Sequence, residues 1–378
     1  SATSRLGEVE RAVERAYQLA KGTISDPEFR SLPGPAEHGT VEGLYDEGLA
    51  GASFEELTGG FMEGVEAASG DGELTVSGSL TRSVGEVAVV NSLGVECLTR
   101  GTSIGGSIGT KAERGEDVAM GRGSIIGRSL REFKPVEAGE EAAEKALARL
   151  GARKVSTGTM DLILDFRSAR GSIAGVLGTG VNGLNVALGN SFLSDNIGDE
   201  VASPILTVVD DPFVPGGVGS RPFDAEGAPA TRLKILDEGV LKTFITDSYS
   251  AGRLGISNTG NASRMGLTAK PAPSLTNIQV SPGIWGLDEL ISETKRGILM
   301  EDGGLSARGG STNISSMVNS GHYIEDGEVV HPVKNTMVGT TVFEFLRNVE
   351  GLSREVLLEG GSSSPALKLR EIKVSGGR

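Results

Sequence analysis

The chain has 378 residues, of which 38% are hydrophobic but only 4% aromatic, so we expect an aliphatic core. The formal net charge is −14 and no basic run is present, which argues against a nucleic-acid partner. The single cysteine, Cys97, excludes an internal disulfide and favours a cytoplasmic protein. No apolar stretch reaches the roughly 18 residues that a membrane helix needs, so no membrane partner is expected.

The first half of the chain mixes helical and strand patterns. Apolar residues recur at helical spacing in three segments, and the second of these opens with Ser53 and Glu56 at capping-box spacing. The predicted elements, in chain order, are helices over residues 6–21 and 53–68, a hairpin around Asn91–Gly94, a helix over 137–150 and a strand over 161–166.

The second half is richer in strands. It contains two predicted hairpins, two short helices and a closing strand, namely hairpins about Glu238–Gly239 and Asp326–Gly327, helices near 287–294 and 341–349, and a strand over 366–374. The fold class predicted from this order is α+β. A mixed α/β N-terminal domain over 1–200 would be followed by a β-rich, barrel- or sandwich-like C-terminal domain over 201–378, with the boundary near 196–204.

Two histidines are the candidate metal ligands. If Asp326 and Gly327 form a two-residue turn, His322 lies directly across from His331, with Cβ atoms about 5 Å apart. Such a pair could share a metal ion, although a zinc site normally has three or four protein ligands. A cross-strand pair without metal is therefore favoured. His38 stands in a Pro/Gly-rich loop and is expected to meet only solvent.

The segment Gly178–Gly183, GTGVNG, satisfies the G-x-G-x-x-G pattern of dinucleotide sites. The residues after it include Gly189, Asn190 and Gly198, which make a poor crossover helix. A nucleotide site is therefore disfavoured. The sequence has no G-x-S-x-G elbow, and Cys97 is expected to be buried in a strand.

Several motifs in one order now point to a known family. They are VVDDPFVPGGVGSRPFDAEG over 208–227, GVLKTFITDSYSAGRLG over 239–255 and HYIEDGEVVHPVK over 322–334. With them the chain resembles the TldD/PmbA family over roughly its whole length. Family members usually begin with a further segment of helix and strands before the motif that residues 3–21 resemble, so we expect that this first segment is missing here.

The resemblance implies one of two branches. TldD-type members carry the zinc peptidase motif H-E-x-x-x-H on a helix, with a later cysteine as a further ligand, whereas PmbA-type members, also called TldE, lack both. Here the helix region, 178–192, contains no histidine or glutamate, and the later region, 358–369, contains no cysteine. The chain therefore resembles the PmbA/TldE branch, with no cofactor of its own and zinc expected in a partner subunit.

Four carboxylates lie in the segment 210–227, and they could bind metal, move protons or hold turns. They are Asp210, Asp211, Asp224 and Glu226. The motif looks common to both branches of the family, so it does not follow the presence of zinc. Glycines and prolines separate the acidic residues, and Asp side chains commonly hydrogen-bond nearby backbone N–H groups in turns. We therefore interpret them as loop-forming and name no catalytic residue.

The function implied by the resemblance is that of a subunit in a TldD/TldE-type metallopeptidase complex. Such a subunit would hold unfolded peptide substrate while a zinc-bearing TldD-type partner cleaves it, in a heterodimer or through self-association. The candidate peptide-binding residues are Arg264, Met265, Ser274, Leu275, Thr276 and Asn277. Alternatives are an independent hydrolase with a different metal site, through His322 and His331, and a non-proteolytic scaffold or binding protein. Whether the chain is itself an enzyme stays open.

Overall fold

The structure is a computed structural model that describes residues 8–70, 74–266 and 268–377. The first elements of this part are helices around a small sheet. They are α1 (Val9–Gly22), α2 (Glu47–Gly51), α3 (Phe54–Ser69), β1 (Thr75–Val90), β2 (Glu96–Arg114), β3 (Asp117–Gly127) and α4 (Pro135–Ala148). Among the described residues, no helix is both long and apolar enough to cross a membrane.

The elements after residue 157 are mostly strands with short helices between them. They are β4 (Gly158–Leu164), α5 (Phe166–Gly180), α6 (Gly183–Ala187), β5 (Val208–Asp210), β6 (Leu233–Asp237), β7 (Val240–Leu241), α7 (Ser248–Leu254), β8 (Ala262–Ser263), β9 (Ala272–Pro273), β10 (Ile278–Val280), α8 (Leu287–Ser292), β11 (Arg296–Asp302), β12 (Asn313–Met317), β13 (Ser320–Glu325), β14 (Glu328–Pro332), β15 (Thr336–Thr341), α9 (Val342–Arg347), β16 (Val349–Glu359) and β17 (Ser362–Gly376).

The antiparallel sheet β1-β2-β3 is covered by α3 and α4. Phe61 from α3, Ile108 from β2 and Ala142 from α4 belong to the core between these layers. The two helices approach closely because glycines face each other. A Cβ on Gly139 would lie 2.0 Å from the carbonyl oxygen of Gly64, so neither helix could carry a side chain there without moving. The close packing therefore depends on residues that weaken each helix in isolation.

The larger sheet has twelve strands among the described residues, and its main path runs β14-β13-β11-β4-β17-β10-β5-β6-β7. The long strand β17 also pairs with β15 and β16, so one strand joins several parts of the sheet. Helix α5 packs against this sheet and places Ile173 and Leu177 in a core shared with α9 and β17. This arrangement confirms the α+β class and the β-rich C-terminal part.

The predicted turns and caps are confirmed where local chemistry decides them. The first hairpin pairs Val90 with Glu96, and the second turns through Glu238 and Gly239, both at positive φ. Helix α3 begins with the expected capping box, in which Ser53 and Glu56 bond each other's backbone N–H. The predicted helix over 6–21 is observed as α1, and residues 6 and 7 lie outside the described part.

Helix α5 is the main element that the sequence reading did not predict. The strand expected over 161–166 ends at Leu164, and Asp165 then caps the helix by accepting the N–H of Ser168 at 2.7 Å. The helix contains four glycines and three β-branched residues, so its intrinsic propensity is low. Burial of one face against the large sheet stabilises it instead.

The change from one sheet to the other does not coincide with the boundary expected near 196–204. Strand β4 hydrogen-bonds to both β11 and β17, which places residues 158–164 inside the larger sheet. The chain therefore passes between the sheets after α4 and before β4. The sequence gives little sign of this crossing. A strand that follows a helix, as β4 follows α4, is equally common within one mixed α/β domain and at the start of a new sheet.

Candidate functional site

Helix α5 forms one wall of a cavity of about 360 Å³. Its outward face carries Gly171, Ala174 and Gly178 at the three- and four-residue spacing that places side chains in one row. A Cβ on Gly171 would meet nothing within 4 Å, so this row of small residues leaves the space open. The cavity wall on this side is therefore smooth and carries no metal-ligating side chain.

The opposite wall is the segment 273–278, which the buried carboxylate of Asp210 fixes in place. Asp210 Oδ1 accepts the backbone N–H of Thr276 at 2.6 Å and its hydroxyl at 2.8 Å. Its Oδ2 accepts the side-chain N–H of Asn261 at 2.9 Å, and Asn261 in turn donates to the carbonyl of Ser274 at 3.1 Å. Asp210 thus acts on the cavity through the backbone that it holds.

The start of β17 completes the cavity with Ser362. The hydroxyl of Ser362 accepts the N–H of Ile278 at 3.1 Å, so it ties β17 to the segment opposite α5. Residues from the two regions in which the family resemblance locates the zinc ligands of TldD-type members, Gly178 and Ser362, therefore line the same cavity. Glycine has no side chain to ligate a metal, and a serine hydroxyl is not a zinc ligand of the usual kind.

The one charged side chain that lines this cavity, among the residues described, is paired. Arg170 donates to Glu359 Oε2 at 2.6 Å and to the Glu359 carbonyl at 3.1 Å. Arg167 bonds the same carboxylate at 3.0 Å and also Glu141 of α4. Burial tends to raise the pKa of Glu359, but the two arginines outweigh it and lower the pKa. The network keeps Glu359 ionised and fastens α5 to α4 and β16.

The remaining carboxylates of the segment 210–227 also hold backbone. Asp224 accepts the N–H groups of Glu226, Ala228 and Ala262 at 2.9 to 3.0 Å. Glu226 accepts the N–H of Ser248 at 2.8 Å. Burial raises the pKa of both Asp224 and Glu226, with these hydrogen bonds acting in the opposite direction. The geometry is that of a loop scaffold, as the sequence interpretation proposed.

Asp211 completes the set of four in a similar way. Its Oδ1 accepts the N–H of Phe213 at 2.9 Å, and its Oδ2 accepts the Nε–H of Arg232 at 2.8 Å. The pattern of Asp bonding a backbone N–H two residues later is that of an Asx turn. All four acidic residues therefore have oxygen atoms occupied by donors of this chain.

A larger groove, of about 930 Å³, adjoins the cavity and shares Leu275 and Thr276 with it. One side is the hairpin of β1 and β2, and the other is formed by residues 218–225, 263, 264 and 266. Arg128 holds the two sides together, because its half-buried guanidinium donates to five backbone carbonyls that include those of Thr102 and Gly217.

The six predicted peptide-binding residues divide into two groups. Ser274, Leu275 and Thr276 line the cavity, and Arg264 lines the groove. Asn277 and Met265 line neither. The side chain of Asn277 is fully buried and bonds the loop that carries Gly219, whereas Met265 is 96% exposed.

The predicted face-to-face pair of His322 and His331 is wrong. The turn at Asp326–Gly327 is present, but a β-bulge follows, so that Tyr323 pairs with His331 and His322 pairs with Pro332. His322 Nδ1 instead lies 3.2 Å from Glu301 Oε2, and the His331 ring stacks on Tyr323 with centroids 5.4 Å apart. A shift of one residue turns the two imidazoles to opposite faces of the sheet.

The prediction that His38 meets only solvent is also wrong. Its Nε2 lies 3.2 Å from the Gly227 carbonyl and 3.4 Å from the thiol of Cys97, and its ring contacts Phe223 edge-on. Cys97 is buried in β2, as expected, and burial together with Asp224 raises the pKa of its thiol. The long connection before α2 is thereby attached to the hairpin and to the segment 223–227.

Two other candidate sites, a dinucleotide site and a metal site, lack the geometry they need among the described residues. Gly178 and Gly180 lie in the last turns of α5, and Gly183 begins α6, so the G-x-G-x-x-G pattern does not follow a strand and open a long helix. Within residues 8–70, 74–266 and 268–377, no group of three or more His, Cys, Asp or Glu side chains is arranged to hold a metal ion.

Comparison with known proteins assigns the chain to a family. Residues 49–150 match the PmbA/TldA metallopeptidase central domain, and residues 157–376 match the PmbA/TldA metallopeptidase C-terminal domain. The chain belongs to the PmbA/TldD family. The resemblance carried by the sequence motifs is thereby confirmed.

Curated relatives of this PmbA/TldD family member are named metalloproteases. One from Methanothermobacter thermautotrophicus is 27% identical over 331 residues, a match covering 82% of this chain and 72% of the relative. Metalloprotease PmbA from Escherichia coli O157:H7 is 26% identical over 268 residues, covering 70% of this chain and 57% of that protein. The chain thus spans little more than half of the second relative.

A solved structure of TldE from Thermococcus kodakarensis shares the fold. It superposes with a TM-score of 0.88 at 24% identity, covering 100% of this chain and 86% of that one.

The sequence analysis named residues 274–276, which line the cavity, as peptide-binding candidates, but it missed α5 and Arg170. The signal for α5 was the capping residue Asp165 before a run with apolar residues at helical spacing, Ala169, Ile173 and Leu177.

Proposed function

We propose that the chain is a PmbA/TldE-like subunit of a TldD/TldE-type metallopeptidase complex, in which a zinc-bearing TldD-type partner cleaves peptides. The observation that carries this proposal is the composition of the cavity between α5 and the segment 273–278. The two chain regions from which the family resemblance expects zinc ligands meet there, and they contribute Gly178 and Ser362. The cavity thus lies where the family resemblance expects the zinc site, but the residues that line it include no usual zinc ligand.

Zinc does not fit the residues of this cavity. A catalytic zinc needs three protein ligands drawn from imidazole, thiolate and carboxylate groups, with one position open for water. The α5 wall offers a glycine, an alanine and another glycine, and the hydroxyl of Ser362 is already bound to a backbone N–H. Arg170 brings a positive charge to the same wall. We therefore assign no reaction step to this chain.

The role that fits this geometry is to hold an extended peptide. The cavity and the adjoining groove share Leu275 and Thr276, so a single chain could pass from one to the other. Ser274, Leu275 and Thr276 contribute side chains to this wall while Asp210 and Asn261 fix its backbone. A rigid backbone wall suits unfolded peptide substrates, because main-chain contacts do not depend on their sequence.

The partner and the location follow from the same proposal. The chain would pair with a TldD-type subunit in a heterodimer or with another copy of itself, in the cytoplasm, where its single cysteine stays reduced. Light scattering at micromolar concentration should then find a species larger than the 39.0 kDa chain, at least when the partner is present. A chain that stayed monomeric under both conditions would contradict the proposal.

The decisive experiment is a peptidase assay of the chain alone, of the chain with a TldD-type subunit, and of the complex with a chelator. We expect cleavage only in the second sample. Cleavage by the chain alone would contradict the subunit role and point to an independent hydrolase. Absence of cleavage from a fully assembled complex would favour a scaffold.

A further inference from the structure

The side of the groove that is formed by the hairpin of β1 and β2, which we call its floor, carries mainly small residues. The register pairs Ser83 with Ser103, Gly85 with Gly101, and Val87 with residue 99, and these residues all line the groove. A Cβ on Gly85 would meet nothing within 4 Å. The lining part of β1 runs from residue 83 to 90, which is about 23 Å of strand. An extended peptide of about seven residues matches that length.

The residues that line the groove carry a net positive charge, whereas the molecule as a whole is acidic. Four arginines line the groove against two acidic residues, although the chain as a whole carries 36 basic and 50 acidic residues. One of the acidic residues, Asp224, has its carboxylate bonded by three backbone N–H groups and is buried. The groove therefore presents a positive surface to its occupant within an acidic protein.

The arginines differ in how free they are to meet a ligand. Arg264 is exposed and donates to the carbonyl of Ala269 at 2.9 Å rather than to a carboxylate. Arg100 reaches Glu47 at 3.4 Å, a pair exposed to solvent and therefore weak. Arg128 and Arg221 are half-buried and donate to backbone carbonyls of this chain, including those of Gly217 and Gly260. Arg264, and after it Arg100, are the groups through which an anionic side chain would be recognised.

We propose that this groove binds an extended peptide segment bearing acidic side chains, with Arg264 selecting the acidic residue. The inference rests on the proposed function in taking a peptide as the occupant, and adds where the peptide lies and which side chains it carries. Val87, which is 57% exposed, contributes apolar contact from the floor. A second copy of the chain fits less well, because a two-fold contact would set the same arginines against one another.

The test is fluorescence anisotropy with labelled peptides of about ten residues in which Val or Thr alternates with Glu, Gln or Lys. We expect the Glu peptide to bind the intact chain at least about fivefold more tightly than the Gln peptide, the contribution of an exposed ion pair or two. The Lys peptide should bind more weakly than the Gln peptide. The preference should fall as salt is raised.

Two variants and two matched controls locate the contact. Arg264→Glu and Val87→Asp should each weaken binding of the Glu peptide at least about fivefold. Arg308→Glu, on an exposed loop outside the groove, and Val118→Asp, at a site 52% exposed on β3, make the same changes elsewhere and should leave binding unaltered. Circular dichroism of all four variants establishes that each one is folded.

The outcomes separate this inference from the function on which it rests. If the complex cleaves peptides but the Glu, Gln and Lys peptides bind alike, the acidic preference is wrong and the subunit role stands. Equal losses in Arg308→Glu and Arg264→Glu would reduce the effect to net charge and would overturn the groove as its site. If no peptide binds and the assembled complex cleaves nothing, the proposed function fails as well.

Discussion

Replacement of Asp224 by asparagine should destabilise the protein without removing a catalytic group. In the native chain, Oδ1 accepts the N–H groups of Glu226 and Ala228, and Oδ2 accepts that of Ala262. An asparagine can keep two of these bonds, but its amide nitrogen then faces the third N–H. One charge-assisted hydrogen bond is lost and one buried donor stays unsatisfied, which together cost about 2 kcal/mol.

Urea unfolding followed by circular dichroism measures this loss. Asp195→Asn, at an exposed position away from the segment 210–227, provides the control and should change the free energy of unfolding by less than about 0.5 kcal/mol. The assay needs the unfolding slope to be unchanged between variants, since a changed slope would mean a different unfolded or native state.

The difference in stability between the wild type and Asp224→Asn should also depend on pH, and the pKa of Asp224 fixes its direction. Burial raises the pKa of Asp224 above its ordinary value, with the backbone hydrogen bonds acting against it. A folded pKa above the unfolded one means that the wild type gains stability from this group as the pH falls, in full only below the unfolded value near 4. Asparagine does not titrate, so the deficit of Asp224→Asn should grow from pH 7 to about pH 4.

If the stability deficit of Asp224→Asn instead shrank between pH 7 and about pH 4, folding would favour the ionised carboxylate, and the inference that burial raises its pKa would be refuted.

The same loop can be tested for catalysis in the complex with a TldD-type partner. Glu226→Gln should assemble, by size-exclusion chromatography, and cleave peptide within a few-fold of the wild type. A fully assembled Glu226→Gln complex that bound peptide normally but cut at least about a hundredfold more slowly would make the loop catalytic.

The remaining predictions concern packing and metal. Gly59→Ala should raise the free energy of unfolding by about 1 kcal/mol, because nothing lies within 4 Å of the new methyl, whereas Gly64→Ala should lower it by about 2 kcal/mol, because the methyl would lie 2.3 Å from a carbonyl oxygen of α4. Urea unfolding decides both, and equal effects would contradict the packing argument. Arg128→Lys should cost about 2 kcal/mol in the same assay, because an ammonium cannot reach five carbonyls, and a neutral result would deny its bridging role. Elemental analysis of the purified chain should find well below one zinc per chain, and stoichiometric zinc would contradict this expectation.

Local chemistry made several features of this protein predictable from the sequence. A hairpin turn at Glu238–Gly239 needs two residues at positive φ, and Gly supplies one of them without strain. A capping box needs a hydroxyl and a carboxylate three residues apart, which Ser53 and Glu56 provide. Such features depend on a few neighbouring residues, and so did the recognition of the family from contiguous motifs.

The tertiary structure decided what depends on residues far apart in the chain. The register between His322 and His331 follows from a bulge that the turn does not specify, and one shifted residue changes the face of every side chain beyond it. Helix α5 forms in spite of its glycines because the large sheet buries one of its faces. The cavity exists only where α5, the segment 273–278 and the start of β17 meet, residues more than 180 positions apart from first to last. No local pattern encodes such a meeting, because it is the burial of apolar surface across the whole domain that brings these segments together.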